Sequence, residues 1–260
     1  MKTDDEVIAI RNLSFSVQTR KIIDTVSLAV QHKCIAGIIG PNGSGKTTLL
    51  KHLYRALPAD KKTVFINGAA VEEYSCREAA QVLTVMRQEN TTDFDYSVLE
   101  MVLMGRTPHK RIFDPETETD RTIAIQALEY TGMADCAERS FSTLSGGEKQ
   151  RVLIARSIAQ QADIFVLDEP TNHLDVHYQW LLMETIKGLN KTVLAVFHEL
   201  NLACAFCDYL FVMHQGKIAA CGTPYEICTE SLLADVFRIQ AEIIKDKHNR
   251  PHILYQHSLA

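Results

Sequence analysis

The chain contains one tryptophan and seven prolines, and no apolar run approaches the 18 or more residues of a spanning helix. Its longest apolar stretches, such as Cys34 to Ile39 and Ile164 to Leu167, are strand-sized. The opening Met1-Lys2-Thr3-Asp4-Asp5-Glu6 is acidic and lacks the apolar core of a signal peptide, so no secretory leader is expected. Cationic excess is also missing: 27 Lys and Arg stand against 32 Asp and Glu, a net charge of −5. That balance argues against a duplex-binding face or a polybasic membrane anchor. The seven cysteines are odd in number and form no paired framework, which suits a reducing compartment. Cys204 and Cys207 make a lone C-x-x-C inside the helical apolar pattern Leu200, Leu202, Ala203, Ala205, Phe206, and they read as packing thiols. There is no internal repeat and no low-complexity linker.

What is present begins with 260 residues at 46% hydrophobic content, enough core for one large domain or for a domain with an inserted subdomain. The most informative stretch is Gly40-Pro41-Asn42-Gly43-Ser44-Gly45-Lys46-Thr47-Thr48, which fits G-x-x-x-x-G-K-[ST]. It follows the apolar run Ile35-Ala36-Gly37-Ile38-Ile39 and precedes the helix-like Leu49-Leu50-Lys51-His52-Leu53. This is the strand, phosphate loop, helix order that the motif requires. The glycines let successive N–H groups turn toward phosphate oxygens, and the following helix aims its positive dipole end at the same place. Lys46 is placed to reach the β- and γ-phosphates and Thr47 to hold Mg²⁺.

Upstream, Val7, Ala9, Leu13, Phe15 and Val17 alternate with Arg11 as the exception, and Val26, Leu28 and Val30 repeat the period. Two antiparallel strands are predicted. Further strands are expected at 63–66 and 82–86, the latter stopping at Arg87-Gln88-Glu89. Helices then take over. Ser97-x-x-Glu100 is a capping box ahead of an apolar run, and Asp114-Pro115 is predicted to start a second helix with Ile123, Ala127, Leu128 and Tyr130 on one face. The basic connector Gly105 to Asp114 reads equally as a solvated loop or a contact surface. A third helix follows Leu144-Ser145-Gly146-Gly147-Glu148. A buried strand then ends in Asp168-Glu169, followed by a helix over 175–189, a strand over 192–197 and a helix over 201–207. A hairpin turning through Gln215-Gly216 comes next, and the end from Pro224 reads as short helices and a small tail.

Asp168 and Glu169 sit where a parallel strand delivers side chains to the sheet edge that a phosphate loop occupies. One carboxylate there can hold Mg²⁺ and its neighbour can polarise a water attacking the γ-phosphate. His198 and Gln88 also stand at strand ends, and each reads either as structural or as a group beside the γ-phosphate. Ser145, Gly146 and Gly147 open a helix with exposed N–H groups, a second anion site about 100 residues from the first. Two nucleotides in one chain, or one nucleotide shared between two chains, would each account for the pair.

In the phosphate loop, Gln88, Leu144-Ser145-Gly146-Gly147-Glu148, Asp168-Glu169, Thr171-Asn172-His173-Leu174-Asp175 and His198, the chain resembles an ABC-transporter ATPase subunit, in order and spacing from about residue 7 to 235. The resemblance implies an α/β fold: a P-loop core with a mixed sheet and an antiparallel β edge (1–88 and 161–235), an inserted helical signature subdomain (89–160) and a short C-terminal tail (236–260). It implies ATP and Mg²⁺, with Thr47, Gln88 and Asp168 toward the metal and Glu169, His198 and Lys46 toward hydrolysis. A head-to-tail homodimer is implied in which Ser145 and Gly147 of one chain face the γ-phosphate held by Lys46 of the other, with Asp175 communicating across it. An integral membrane permease at the cytoplasmic face and an extracytoplasmic binding protein complete the implied system, without nucleic acid.

More narrowly, residues 102–109, 172–175 and 198–203 resemble the ATPases of importers for iron-siderophore, haem or cobalamin complexes. The rival readings are a transporter ATPase for another cargo, a soluble ABC ATPase acting on ribosome or DNA, and a non-hydrolysing nucleotide sensor. Two departures stand out. Val17 occupies the family's adenine-stacking aromatic position, with Phe15 on the same side of the strand, and Glu199 follows His198 where relatives usually have Asp.

Overall fold

The computed structural model describes residues 5–87, 95–111, 114–172, 174–247 and 249–259, and the chain divides into two compact units. Met1–Glu73 with Lys191–Ala260 form the first, and Tyr74–Asn190 form the second.

The first unit starts with β1 (Glu6–Val17) and β2 (Arg20–Gln31), paired antiparallel as their alternation predicts. Register shifts between Ile10 and Leu13 explain the exception at Arg11: Val7 to Ile10 are all buried, Arg11 and Asn12 bulge outward, and Leu13 returns to the core. β3 (Ile35–Ile39) leads to α1 (Lys46–Leu53), and β4 (Val64–Ile66) and β5 (Ala69–Ala70) extend the antiparallel sheet in the order β2-β1-β4-β5.

The second unit holds α2 (Cys76–Val82), β6 (Leu83–Met86), α3 (Val98–Leu103), α4 (Glu118–Tyr130), α5 (Gly146–Ala159), β7 (Ile164–Asp168) and α6 (Val176–Gly188). β6 and β7 run parallel, and α3, α4 and α5 pack together. Capping boxes start four of its helices, at Ser75/Glu78, Ser97/Glu100, Thr117/Asp120 and Ser145/Glu148. The box at Ser75 and the helix behind it add to the predicted elements, although their signal, S-x-x-E, is a local one. α4 begins at Thr117, not at Asp114. Thr117 and Asp120 satisfy each other's orphan N–H groups in a reciprocal box, while Asp114 accepts the Arg111 N–H in a turn. Tyr130 is exposed rather than on the buried face, and its hydroxyl donates to the Thr185 carbonyl.

The connector after α3 is not a solvated loop throughout: Gly105 and Arg106 are buried, whereas Thr107 and Arg111 are exposed. Arg106 is buried and ion-paired to Asp120 at 3.1 Å, and it donates to the Ala159 carbonyl and Gln161 Oε1 at 2.7 and 2.8 Å. Gly105 gives the reason for glycine: a Cβ there would lie 2.3 Å from the Arg156 carbonyl oxygen.

The first unit resumes with β8 (Thr192–Val196), α7 (Leu200–Phe206), β9 (Tyr209–His214), β10 (Lys217–Gly222), α8 (Pro224–Ile227) and α9 (Glu230–Leu232). β3 lies between β8 and β9 with both pairings parallel, and β10 adds an antiparallel edge. The short helices predicted from Pro224 are present as α8 and α9, but the end beyond them is not a plain tail: β11 (Ile239–Lys245) and β12 (Pro251–Ser258) form an antiparallel hairpin. Its anchor is the Asn201 amide, which donates to the Ile253 carbonyl at 3.1 Å and accepts the Ile253 N–H at 2.7 Å, as a strand neighbour would. Arg250 adds a bond to the Ala205 carbonyl at 2.8 Å. Cys204 and Cys207 are buried as packing thiols, Cys207 Sγ filling the space a Cβ on Gly37 would take. Among the described residues no helix is long and apolar enough to cross a membrane.

Candidate functional site

In the first unit, β3 delivers the chain into the loop from Gly40 to Gly45, where left-handed backbone at Gly43 and Gly45 (φ +76° and +104°) turns it into α1. A side chain at Gly45 would also meet the Ile22 carbonyl at 2.9 Å. The buried Lys46 ammonium donates to the carbonyls of Gly40 and Pro41 at 2.8 and 3.1 Å, so it lies folded along its own loop. Ser44 Oγ is buried without a hydrogen-bond partner, while Asn42 and Gly43 are exposed and Thr47 and Thr48 half-buried. An orphaned hydroxyl beside a glycine cradle and a buried ammonium fits a phosphate chain, which would supply the missing acceptor.

His198 belongs to the same unit and the same sheet edge. β8 runs parallel to β3 with Val196 opposite Ile38, and the Phe197 N–H continues the ladder to the Ile38 carbonyl at 3.0 Å. The next residue, His198, is exposed beyond that edge. Glu199 acts locally, its carboxylate capping α7 by accepting the N–H groups of Asn201 and Leu202.

In the second unit, β7 ends at Asp168, and Glu169 sits beyond it in left-handed backbone (φ +54°), which is uncommon for a non-glycine residue and typical of functional turns. Both carboxylates are half-buried. The turn is pinned three ways. The Asn172 N–H bonds the Glu169 carbonyl at 3.2 Å, its side-chain amide donates to Glu169 Oε2, and Gln150 of α5 donates to the Pro170 carbonyl. Sequence reasoning misses Asn172 and Gln150 as supporting residues, although Asn172 lies in a stretch that carries the family resemblance. β6 ends beside β7, with Met86 opposite Leu167, but Gln88 lies outside the described residues, as does His173.

α5 starts with Ser145 as N-cap. Its hydroxyl accepts the Glu148 N–H at 3.3 Å and its own N–H goes to Glu148 Oε2 at 2.8 Å, which holds the Glu148 carboxyl below its ordinary value. Two of the helix's first N–H groups, those of Gly146 and Gly147, have no intrahelical acceptor, which leaves a donor pair at a positive dipole end. Ser145 and Gly146 are exposed and Gly147 is buried.

Residues 23–172 match the ABC transporter family model. The chain is 36% identical over 249 residues to the iron(3+)-hydroxamate import ATP-binding protein FhuC of Bacillus subtilis (strain 168), covering 94% of this chain and 93% of that protein. It is 36% identical over 229 residues to the ferric enterobactin transport ATP-binding protein FepC of Escherichia coli (strain K12), covering 86% and 84%. Among solved structures, a chain of a metal-chelate type ABC transporter in an inward-facing conformation superposes with a TM-score of 0.84 at 27% identity, over 97% of this chain and 98% of that one. With the phosphate loop, the Asp168-Glu169 strand end and the glycine-started α5 all formed, the chain belongs to the ABC transporter family, as an ATP-hydrolysing cassette.

Proposed function

We propose that this chain powers an importer of a metal-chelate complex, an iron-siderophore, haem or similar, by hydrolysing ATP at the cytoplasmic face of a membrane permease. The observation that carries the proposal is the superposition along nearly the whole chain on a metal-chelate type ABC transporter, supported by relatives named for ferric hydroxamate and ferric enterobactin transport. The permease is an integral membrane partner, and an extracytoplasmic binding protein brings the cargo. Nucleic acid has no part in it, in line with the net charge of −5.

The residue roles follow from their chemistry. N–H groups of the loop from Gly40 to Thr48 hold the phosphates, and Lys46 leaves its loop carbonyls to bind the β- and γ-phosphates. Thr47, Asp168 and Gln88 offer the oxygen donors a hard cation prefers, and Mg²⁺ bound there supplies charge neutralisation on the phosphates. Glu169, its carboxylate aimed by Asn172, takes a proton from the attacking water, and His198 steadies the γ-phosphate side. Ser145, Gly146 and Gly147 of one copy present their donors to nucleotide held by a second copy in a head-to-tail dimer. ATP thereby favours the closed dimer and its products do not. The division of labour is a core of 1–88 and 161–235, a helical part of 89–160 that meets the permease, and a tail of 236–260.

The test is to tag the chain, solubilise native membranes in mild detergent and identify what co-purifies. A polytopic membrane protein whose reconstituted complex hydrolyses ATP faster with chelate-loaded binding protein is expected. Recovery of ribosome or nucleoprotein without a membrane protein would overturn the transport role and keep the ATPase.

A further inference from the structure

The second unit carries an aromatic contact for which the roles above have no use. An ideal Cβ on Gly147 would stand 3.0, 3.1 and 3.2 Å from Cγ, Cδ2 and Cδ1 of Tyr178, so the tyrosine ring lies against the backbone of the signature helix start. One turn along α5, the Arg151 guanidinium sits 5.8 Å from the same ring's centroid. Tyr178 is in the first turn of α6, its N–H held by the Asp175 carboxylate at 3.1 Å. The next residue, Gln179, donates to the carbonyls of Thr171 and Leu174 at 3.4 and 3.2 Å. Tyr178 therefore bridges two elements, its ring lying on the helix start that presents the Gly146 and Gly147 N–H groups and its backbone N–H bonded to Asp175 at the end of the loop from Glu169.

We infer that Tyr178 is a positioning residue that sets the direction of the Gly146 and Gly147 N–H groups and ties them to the Asp175 loop of the same chain. Three features make the contact more than packing area. It falls on a glycine with no side chain of its own to fix its direction. The ring is rigid, with two side-chain torsions, and close-packed contacts transmit displacement because no void absorbs it. Gln150, on the same helix, bonds the other end of that loop at Pro170, so the loop from Pro170 to Asp175 is held at both ends by groups that also meet α5. Movement of the signature start when it receives a phosphate from a second copy passes through the ring to Asp175. The inference rests on the proposed reading of Ser145 to Gly147 as the phosphate-facing element.

The test uses the full chain with three readouts: affinity for a fluorescent ATP analogue, ATP-driven self-association in a Glu169→Gln background, and kcat and KM for Mg-ATP. For Tyr178→Ala we expect analogue affinity and KM within about twofold of wild type, with kcat and dimer affinity at least about tenfold lower. Tyr178→Phe, which keeps the ring, restores both to within about twofold. Tyr178→Leu replaces Tyr178→Ala if the latter fails to give a native circular dichroism spectrum. Unchanged kcat and dimer affinity in the ring-less variant, or a parallel fall in analogue affinity, would overturn the inference. Ser145→Arg separates it from the reading beneath it. If ATP still drives association of Ser145→Arg, the signature reading and the inference fall together; if Ser145→Arg blocks association and Tyr178→Ala does not, the inference alone is wrong.

Discussion

Arg106→Met should destabilise the second unit severely. The side chains of Arg106 and Asp120 are 7% and 8% exposed, so removing the guanidinium leaves a desolvated carboxylate and two carbonyl-type acceptors, Ala159 O and Gln161 Oε1, without their donor. Breaking a buried pair from one side costs about 3–5 kcal/mol. Lys110, 3.4 Å from Asp120 Oδ2, and the Thr117 hydroxyl at 2.7 Å still support the carboxylate, which puts the expectation near the bottom of that range, about 3 kcal/mol. Trp180, the single tryptophan, lies in α6 of the same unit, and its fluorescence in urea follows the relevant transition. With a slope of about 1.5 kcal/mol per molar urea, the midpoint should fall by about 2 M. Adding Asp120→Asn to Arg106→Met should give less than the sum of the two single effects, by about 1–2 kcal/mol.

The pair also sets a pH signature. Burial pushes the Asp120 carboxyl up, but hydrogen bonds from Thr117 and Arg106 and the charge of Lys110 outweigh it and hold the group well below the usual carboxylate range. A depressed carboxylate contributes its stability fully above the unfolded value of about 3.9 and loses it as pH falls toward the folded one. The midpoint difference between wild type and Asp120→Asn should be flat from about pH 5 to 8 and shrink below about pH 4. A midpoint shift under about 0.3 M for Arg106→Met, or simple additivity in the double variant, would refute the reasoning.

Two further predictions concern the nucleotide. Phe15 packs edge-on against His52 with ring centroids 4.7 Å apart, while Val17 is 52% exposed, so Val17→Tyr should add the stacking surface this chain lacks. Both purines stack on an aromatic ring, so the KM for ATP and for GTP should each fall by a factor of about 2–10, a stacking contribution of about 0.5–1.5 kcal/mol; unchanged KM for both nucleotides would reject it. Asn172→Ala removes the donor that aims Glu169, and kcat should fall about tenfold with KM for ATP unchanged, the loss of one charge-assisted hydrogen bond. Steady-state kinetics would contradict this if KM moved and kcat did not.

What the sequence made legible was local. The strand, phosphate loop and α1 are specified by consecutive residues, and the Ser97/Glu100 box fixes α3 within four positions. Asp114 misled because two cap signals lie three residues apart, and the reciprocal box of Thr117 with Asp120 starts the helix while Asp114 closes a turn with Arg111. The burial of Arg106 was hidden because its partner, Asp120, is 14 residues away and its other acceptors more than 50 away. The closing hairpin was missed because β12 exposes His252, Leu254 and Gln256 and shows little apolar alternation; Asn201, from α7, supplies its strand-like anchor. The same distance effect hid Tyr178, whose glycine contact joins two helices about 30 positions apart in sequence.

The most direct measurement is steady-state Mg-ATP hydrolysis by the purified chain and its Glu169→Gln variant, with the oligomeric state followed by light scattering. Glu169→Gln keeps the shape of the side chain and removes its basicity. The account predicts that it binds ATP with unchanged affinity, turns over at least about 100-fold more slowly and accumulates as an ATP-bound dimer. Turnover near wild type in Glu169→Gln would contradict the assignment of Glu169 as the base and, with it, the proposed catalytic arrangement.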